Sequence, residues 1–348
     1  MAPDSVKHHP AWLCRCFGGA LFALLIAAVA GCASGRADPG ALPPSVAHPL
    51  EGKIWDTREQ AFISRNELEA RALAADAVLL GEIHVNPEHH ALQADVIRHL
   101  AANGPGPAVV FEMLEADQQA HIDDARRDRG VEAATIADVT GFRDSGWDWA
   151  LYGPLIETTL DLDLPLVAGN APRDRVRAAA TGQADGLTDT ERRRLGLDQP
   201  LPGPAGEALL DKLVEGHCGH LPPGMAPGLI AAQRLRDATM TDGMLRARDA
   251  GAGGLPRQVV LIAGSGHVRR DFGVPLYLLE RSPETTPLAI SLTEVVHGEN
   301  EPAAYLPAAA GEPVFDVLWF TSRTEREDPC EAFREQLEKM HQNLSAER

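Results

Sequence analysis

Short, largely apolar runs alternate along this chain with longer segments in which apolar residues recur at helical spacing. Runs of this length, followed by glycine or polar residues, are typical of strands buried on both faces of a parallel sheet. They occupy 77–80, 108–111, 164–168, 258–263, 287–290 and 315–320. Strands separated by helices predict an α/β fold with a mostly parallel sheet flanked by helices.

Several helix starts are marked by capping residues. Ser64 and Glu67 have the spacing of a capping box. Asn86 followed by Pro87 predicts an N-cap with proline at the first helical position. Segment 328–331 repeats the capping pattern near the end of the chain, and the helix predicted after it has one apolar face, formed by Phe333, Leu337, Met340 and Leu344.

Segment 171–254 differs from its surroundings. It contains helical patterns, arginine-rich turns and several prolines and glycines, but no convincing strand. We therefore predict a smaller, all-helical insertion at 171–254 in a core domain formed by 53–170 and 255–348.

The N-terminus has the pattern of a targeting segment. The apolar run at 20–31 is too short to span a bilayer and follows Lys7 and Arg15, which indicates a secretory signal peptide over 1–31. The run ends in Val-Ala-Gly-Cys, which resembles a bacterial lipobox with Cys32 as the lipidated residue; an ordinary signal with a chance cysteine is the alternative. By resemblance to lipoprotein sorting in some proteobacteria, Ala33 after the cysteine favours the outer membrane, facing the periplasm. Residues 32–52 are predicted to be a tether.

Charge and composition exclude some partners. The 32 Lys and Arg residues against 50 Asp and Glu residues leave a net charge of −18, and aromatic residues make up only 5% of the chain. Nucleic-acid binding needs clustered cations or stacking aromatics, and electrostatic docking on anionic membranes needs cations. We therefore predict no nucleic-acid partner and no membrane contact other than the lipid anchor.

The five cysteines divide between the leader and the mature chain. Cys14 and Cys16 would leave with the signal peptide, and Cys32 would carry lipid. Cys218 and Cys330 remain, and in an oxidising compartment they indicate a disulfide. A metal site at His217-Cys218-Gly219-His220 is the alternative.

Two strands run into the same pattern, Gly-x-x-His. The first gives Gly81-Glu82-Ile83-His84, the other gives Gly264-Ser265-Gly266-His267, and a third strand ends in Glu112. Because the carboxyl ends of parallel strands meet at one edge of a sheet, we expect Glu82, His84, Glu112 and His267 to face one crevice. Two imidazoles and two carboxylates suit a divalent metal such as Mn or Co, or acid–base catalysis. Alternatively, the carboxylates cap helices and the histidines are structural.

Further histidines and an aromatic cluster lie nearby in the sequence. His89 and His90 fall in the first turn of the helix after Pro87, where either a ligand site or solvated surface is expected. Trp147, Trp149 and Tyr152 form the densest aromatic cluster. They are either core residues or a flat apolar wall for a planar ligand such as haem, for which tyrosine is a known iron ligand. No Cys-x-x-Cys-His occurs, which excludes covalent c-type attachment.

These segments resemble the ChaN-like haem-binding lipoproteins of the wider Tiki/TraB/erythromycin-esterase group. The resemblance is carried by LLGEIHVNPEHH, VVFEMLEADQQ, SGWDWALYGPLI and LIAGSGHVRRDFGVP. It implies an α/β domain with a smaller helical domain, an envelope tether, and haem or iron handling with transport machinery as a partner. It further implies haem held between the subunits of a homodimer, with Tyr152 as the iron ligand. The wider group also contains metal-dependent proteases and esterases, which makes hydrolysis at Glu82, His84, Glu112 and His267 the alternative function.

Overall fold

The computed structural model describes residues 48–334, except 184, 252, 254–256, 308–311, 327, 329, 332 and 333. The predicted signal peptide, Cys32, residues 33–47 of the predicted tether, and Phe333, Leu337, Met340 and Leu344 of the predicted last helix lie outside the described residues. Within the described part, no helix is long and apolar enough to cross a membrane.

The described strands form one mixed, mostly parallel sheet, which confirms the predicted α/β class. Its order is β2-β1-β8-β7-β3-β6-β4-β5. Strands β3 to β8 are mutually parallel, whereas β1 and β2 are antiparallel additions at one edge. The sequence pattern missed these two because each has only three residues. The bounds are β1 Ile54–Asp56, β2 Ala61–Ile63, β3 Ala77–Glu82, β4 Ala108–Glu115, β5 Leu166–Asn170, β6 Val259–Gly264, β7 Pro287–Glu294 and β8 Val317–Thr321.

Helices begin where the capping residues predict. The Ser64 side chain accepts from the Glu67 amide, and the Asn86 side chain accepts from the amides of Glu88 and His89. The bounds are α1 Arg65–Ala74, α2 Pro87–Asn103, α3 Gln119–Ala125, α4 Ala133–Thr140, α5 Trp149–Asp161, α6 Arg173–Ala180, α7 Asp189–Leu195, α8 Gly203–Gly216, α9 Ala226–Asp249 and α10 Val274–Arg281.

The sheet separates two hydrophobic layers. Successive strand residues point to opposite faces. On β3, Val78 and Leu80 join the layer formed with α1, α2 and α5, whereas Leu79 joins the layer formed with α9 and α10. This alternation decides on which side of the sheet each polar residue at a strand end lies.

The segment between β5 and β6 contains helices joined by turns, and no strand, within its described residues. It supplies α6 to α9, and Met240 and Met244 of α9 pack directly against the sheet. Cys218, just after α8, is disulfide-bonded to Cys330, which follows β8. The described residues all belong to one compact unit, and the proposed division into core and insertion stays a prediction.

Candidate functional site

Glu82, the last residue of β3, is the centre of a buried polar cluster. Its side chain is inaccessible, and its Oε1 atom accepts hydrogen bonds from the Tyr152 hydroxyl at 2.7 Å and from His84 Nδ1 at 3.0 Å. Burial raises the pKa of this carboxyl, but the hydrogen bond from His84 and the contact with His90 prevail and lower the pKa to about 2. Glu82 is therefore an ionised acceptor at neutral pH.

His84 lies at the opening of this cluster. Its side chain is 37% exposed, and its ring contacts the Trp147 ring at a centroid distance of 4.8 Å. Nδ1 is committed to Glu82, while Nε2 has no hydrogen-bond partner among the described residues. Burial lowers the pKa of His84, but the hydrogen bond to Glu82 and the charge of Glu112 raise it overall.

Gly264, at the end of β6, leaves room for the His84 ring. A Cβ atom at this position would lie 2.8 Å from His84 Nε2 and 3.7 Å from Glu112 Oε2. The two Gly-x-x-His segments therefore do meet, because β3 and β6 are adjacent and Glu82 is paired in register with Gly264.

His89 and His90 are both buried in the first turn of α2. His89 Nδ1 accepts from the Ile83 amide and its Nε2 contacts the Thr321 hydroxyl, so neither nitrogen faces a ligand. His90 Nδ1 donates to the Leu151 carbonyl, and its Nε2 lies 3.1 Å from Glu82 Oε2 without hydrogen-bond geometry. The alternative of a solvated surface position is therefore wrong for both residues, because both side chains are buried.

Trp147, Trp149 and Tyr152, which were predicted to form one aromatic wall, lie in different surroundings. Tyr152 is only 1% exposed, and its ring packs against His90 and Phe142. Burial, together with the charge of Glu82, raises the pKa of Tyr152 well above its ordinary value. Trp147 borders His84, but Trp149 packs on Phe142 and lines a different cavity of about 1100 Å³ between 126–134 and α5. The flat wall expected from the three residues together is therefore not present.

Glu112 forms a second buried cluster with His267. It accepts from the Arg236 guanidinium and, at 2.7 Å, from the Gly264 amide, and His267 Nε2 lies 3.3 Å away. His267 Nδ1 is hydrogen-bonded to Asp237. Burial lowers the pKa of His267, but the charges of Glu112 and Asp237 raise it to about 9.

The sequence reading missed Arg236 and Asp237 of α9. Gln233, Arg236 and Asp237 are three and four residues apart and therefore lie on one helix face. Gln233 Nε2 lies 2.9 Å from His267 Nδ1. The spacing of these residues within LIAAQRLRDATM could have indicated the contact, because polar residues on the buried face of a helix need polar partners.

Glu82 and Glu112 leave their strands on opposite faces of the sheet, although both approach the His84 ring, Glu82 at Nδ1 and Glu112 on the side of Nε2 and Gly264. Residues two apart on a strand lie on the same face of the sheet. Glu82 therefore lies on the face of Leu80, toward α2 and α5, whereas Glu112 lies on the face of Val110, toward α9. The register of the strands causes the difference. Glu82 of β3 is paired with Gly264 of β6, and Phe111 of β4 is paired with Ile262 of β6, so the β4 residue level with Glu82 is Met113 and not Glu112. A one-residue offset moves a side chain to the other face.

The structure does not support the predicted Mn or Co site. Among the described residues, no group of three or more His, Cys, Asp and Glu side chains is arranged to hold a metal ion. The alternative metal site at 217–220 is also unsupported, because Cys218 is bonded to Cys330 and His217 Nδ1 donates to the Leu213 carbonyl.

The sequence of the chain matches a known family. The sequence model of a family described as haem-binding uptake, Tiki superfamily, ChaN, matches residues 68–278, more than half of the chain. This chain belongs to that ChaN family. The resemblance read from the strand-end motifs is thereby confirmed, and the family's description connects the chain with haem.

Solved structures place the fold. The chain is similar to ChaN of Campylobacter jejuni, described for cofacial haem binding, with 21% identity, a TM-score of 0.60, and coverage of 76% of this chain and 95% of that one. A mutant erythromycin esterase, EreC, in its open conformation has 16% identity and a TM-score of 0.39 over 80% of this chain and 86% of that one. The latter similarity is too weak to bear on function, and no curated protein matches the chain.

Proposed function

We propose that this protein binds haem in the bacterial cell envelope, as a lipid-anchored protein that takes part in haem or iron uptake or storage. Membership of the ChaN family supports the ligand. The observation that carries the proposal is the imidazole of His84, which is 37% exposed at the open edge of the buried cluster and whose Nδ1 atom is held by Glu82. Exposed Val85 and the Trp147 ring provide apolar surface beside it.

A second copy of the chain is part of this proposal. His84 does not line the cavity of about 1100 Å³ beside α5, nor one of about 480 Å³ bordered by Ile83, Tyr305 and Phe315. A flat apolar ligand bound at this edge would keep one face in water, which favours covering by another subunit. The cofacial haem binding of the Campylobacter jejuni protein supports the same arrangement.

Titration with hemin tests the proposal. We expect the Soret band to shift and to saturate near one hemin per chain, and we expect gel filtration to show a dimer that forms or tightens on loading. An unchanged hemin spectrum at equimolar protein would refute haem binding, whereas saturation by a monomer would refute only the shared site.

The anchor is tested separately. The apolar run at 20–31 followed by Cys32 supports lipidation, and Ala33 supports the outer membrane. We expect wild-type protein in the outer-membrane fraction and the Cys32→Ser variant in the soluble periplasmic fraction, with Cys330→Ser as the cysteine control that stays membrane-bound. Retention of the Cys32→Ser variant on membranes would rule out this residue as the anchor.

A further inference from the structure

The cavity of about 480 Å³ lies at the carboxyl ends of β3, β6 and β7, and the proposed function does not use it. Ligand sites for small molecules have volumes of roughly 300–1000 Å³. Open α/β sheets bind their ligands outside the carboxyl ends of the strands. We propose that this cavity binds a neutral polyhydroxylated ring, that is, a sugar or a cyclitol.

Ser291 and Thr293, which line the cavity, lie on the opposite face of the sheet from Glu82. Residues two apart on a strand share a face. Leu292 of β7 joins the layer formed with α2 and α5, toward which Glu82 also lies, whereas Val295 joins the layer formed with α9 and α10. Ser291 and Thr293 share the face of Val295. The cavity is therefore distinct from the proposed haem site, and the two proposals stand or fall separately.

Three serine and threonine hydroxyls line the cavity. The hydroxyl of Ser265, in the second Gly-x-x-His motif, has no hydrogen-bond partner among the described residues. The hydroxyls of Ser291 and Thr293 lie 3.0 Å apart. Gly81 of β3 brings these groups together, since it is paired in register with Ser291 and a Cβ atom on it would lie 3.0 Å from the Ser265 Cα atom. Each hydroxyl can donate once and accept twice, so the group keeps capacity for the hydroxyls of a ligand.

The cations that line the cavity are already paired with carboxylates. Lys212 Nζ lies 3.0 Å from Glu215, and Arg269 donates two hydrogen bonds to Asp271, at 3.0 and 2.7 Å. An anionic ligand would therefore find no free cation. No group of three or more His, Cys, Asp and Glu side chains in the described part of the chain could hold a metal ion. Exposed Asp211 is the one lining carboxylate without a described partner, and it can accept from a ligand hydroxyl.

An apolar wall completes the cavity. It includes Leu292, Leu306 and Phe315, of which Leu292 is 1% and Phe315 is 8% exposed. Gly266 also lines the cavity, and a Cβ atom there would meet nothing within 4 Å. A sugar ring carries hydroxyls around its edge and C–H groups on its faces, so it matches a lining that is divided between hydroxyls and apolar side chains.

Helix α8 and strand β7, which both line the cavity, are tied to each other through the C-terminal segment. Cys218 follows α8 and is disulfide-bonded to Cys330. Arg326, four residues before Cys330, is ion-paired at 2.7 Å with Glu294, the last residue of β7. Ligand sites are usually formed before the ligand binds. The tie therefore favours a binding site over a gap left by loose packing.

Saturation-transfer NMR of the hemin-free protein tests the proposal. The neutral probes are glucose, galactose, N-acetylglucosamine and myo-inositol, and glucosamine and glucose 6-phosphate are their charged counterparts. We expect saturation to pass from the protein to the ring protons of at least one neutral probe, and more weakly to the charged compounds. Transfer to none of the four neutral probes, or to a charged compound alone, would overturn the proposal.

Variants then place the ligand in the cavity. Gly266→Leu should fill the space and abolish the transfer, whereas Ser265→Ala should weaken binding about 5-fold, the effect of one hydrogen bond. Gly224→Leu is the matched control, because Gly224 is also a turn glycine with open space at its Cβ position but does not line the cavity. Thermal melts show whether each variant folds, and Ser265→Ala serves if Gly266→Leu does not. Unchanged transfer in folded Gly266→Leu, or unchanged affinity in Ser265→Ala, would overturn this site.

Discussion

The two Gly-x-x-His segments end adjacent strands, yet their imidazoles lie in opposite environments. His84 is 37% exposed and has one nitrogen bound to a carboxylate, whereas His267 is 7% exposed and lies between Glu112 and Asp237. The difference comes from the covering helix. Helix α9 brings Asp237 and Arg236 over His267, while the cluster around His84 is completed from α2 and α5 and remains open at its edge. A shared motif therefore sets where a histidine lies, and the helix packed over it decides whether a ligand can reach it.

The largest expected effect comes from breaking the closed cluster. His267→Leu removes the cation between two buried carboxylates, which should lower the free energy of unfolding by about 3–5 kcal/mol. His84→Leu, the matched change at the open cluster, should cost roughly 1 kcal/mol, the worth of one hydrogen bond. Denaturant unfolding of both variants checks this, and equal losses would show that the two clusters are equally structural.

The pH dependence of stability sharpens the same contrast. The pKa of His267 is raised from 6.5 to about 9 in the folded protein, with Glu112, Asp237 and Arg236 as its charged neighbours. The protonated imidazole stabilises the fold fully below about pH 6.5, and this contribution is lost as the pH rises through 9. The free energy of unfolding should therefore fall by up to about 3 kcal/mol over that window. Denaturant unfolding between these pH values, with NMR titration of the imidazole, measures this. Titration of His267 below its ordinary value would contradict the prediction.

The glycine of the first motif should matter for packing. A Cβ atom on Gly81 would lie 2.3 Å from Val268 Cγ2 and 3.0 Å from the Ser265 Cα atom. Because one of these neighbours is backbone, Gly81→Ala should cost about 1–3 kcal/mol of stability. Gly266→Ala, with open space at its Cβ position, is the control for thermal unfolding. A Gly81→Ala variant as stable as this control would disprove the close packing.

The smallest expected effect on stability is at Gly264. A Cβ atom there would lie 2.8 Å from Nε2 of the His84 ring and, at ordinary contact distance, 3.7 Å from Glu112 Oε2. Gly264→Ala should therefore cost at most the roughly 1 kcal/mol of the His84–Glu82 hydrogen bond, while it displaces His84 and weakens hemin binding about 10-fold. Parallel thermal melts and hemin titrations test this pair of results; unaltered hemin affinity would mean that the position of His84 does not govern binding.

The parallel strands could be predicted because continuous apolar runs mark burial on both faces, as in β3 and β6. The three-residue strands β1 and β2 are too short to show any period. Within the site, the motifs predicted that His84 and His267 lie at the same edge of the sheet, and the structure adds that their strands are adjacent. The one-residue offset that turns Glu112 away from Glu82 depends on inter-strand register, which local sequence does not encode. The burial of Tyr152 and the role of Asp237 likewise depend on how helices pack.

The order of strands in the sheet also has a consequence for how the chain folds. Central strand β3 pairs only with β6 and β7, and β1 pairs Ile54 with Trp319 near the other end of the described chain. Such long sequence separations require large loops to close before any stabilising contact forms, and domains of this kind fold slowly. Neither the centre of the sheet nor its β1 edge can assemble while the C-terminal third is still being synthesised. We therefore expect nascent chains to lack all of their sheet except the β4–β5 pair until synthesis is nearly complete, and to depend on holding factors during that interval.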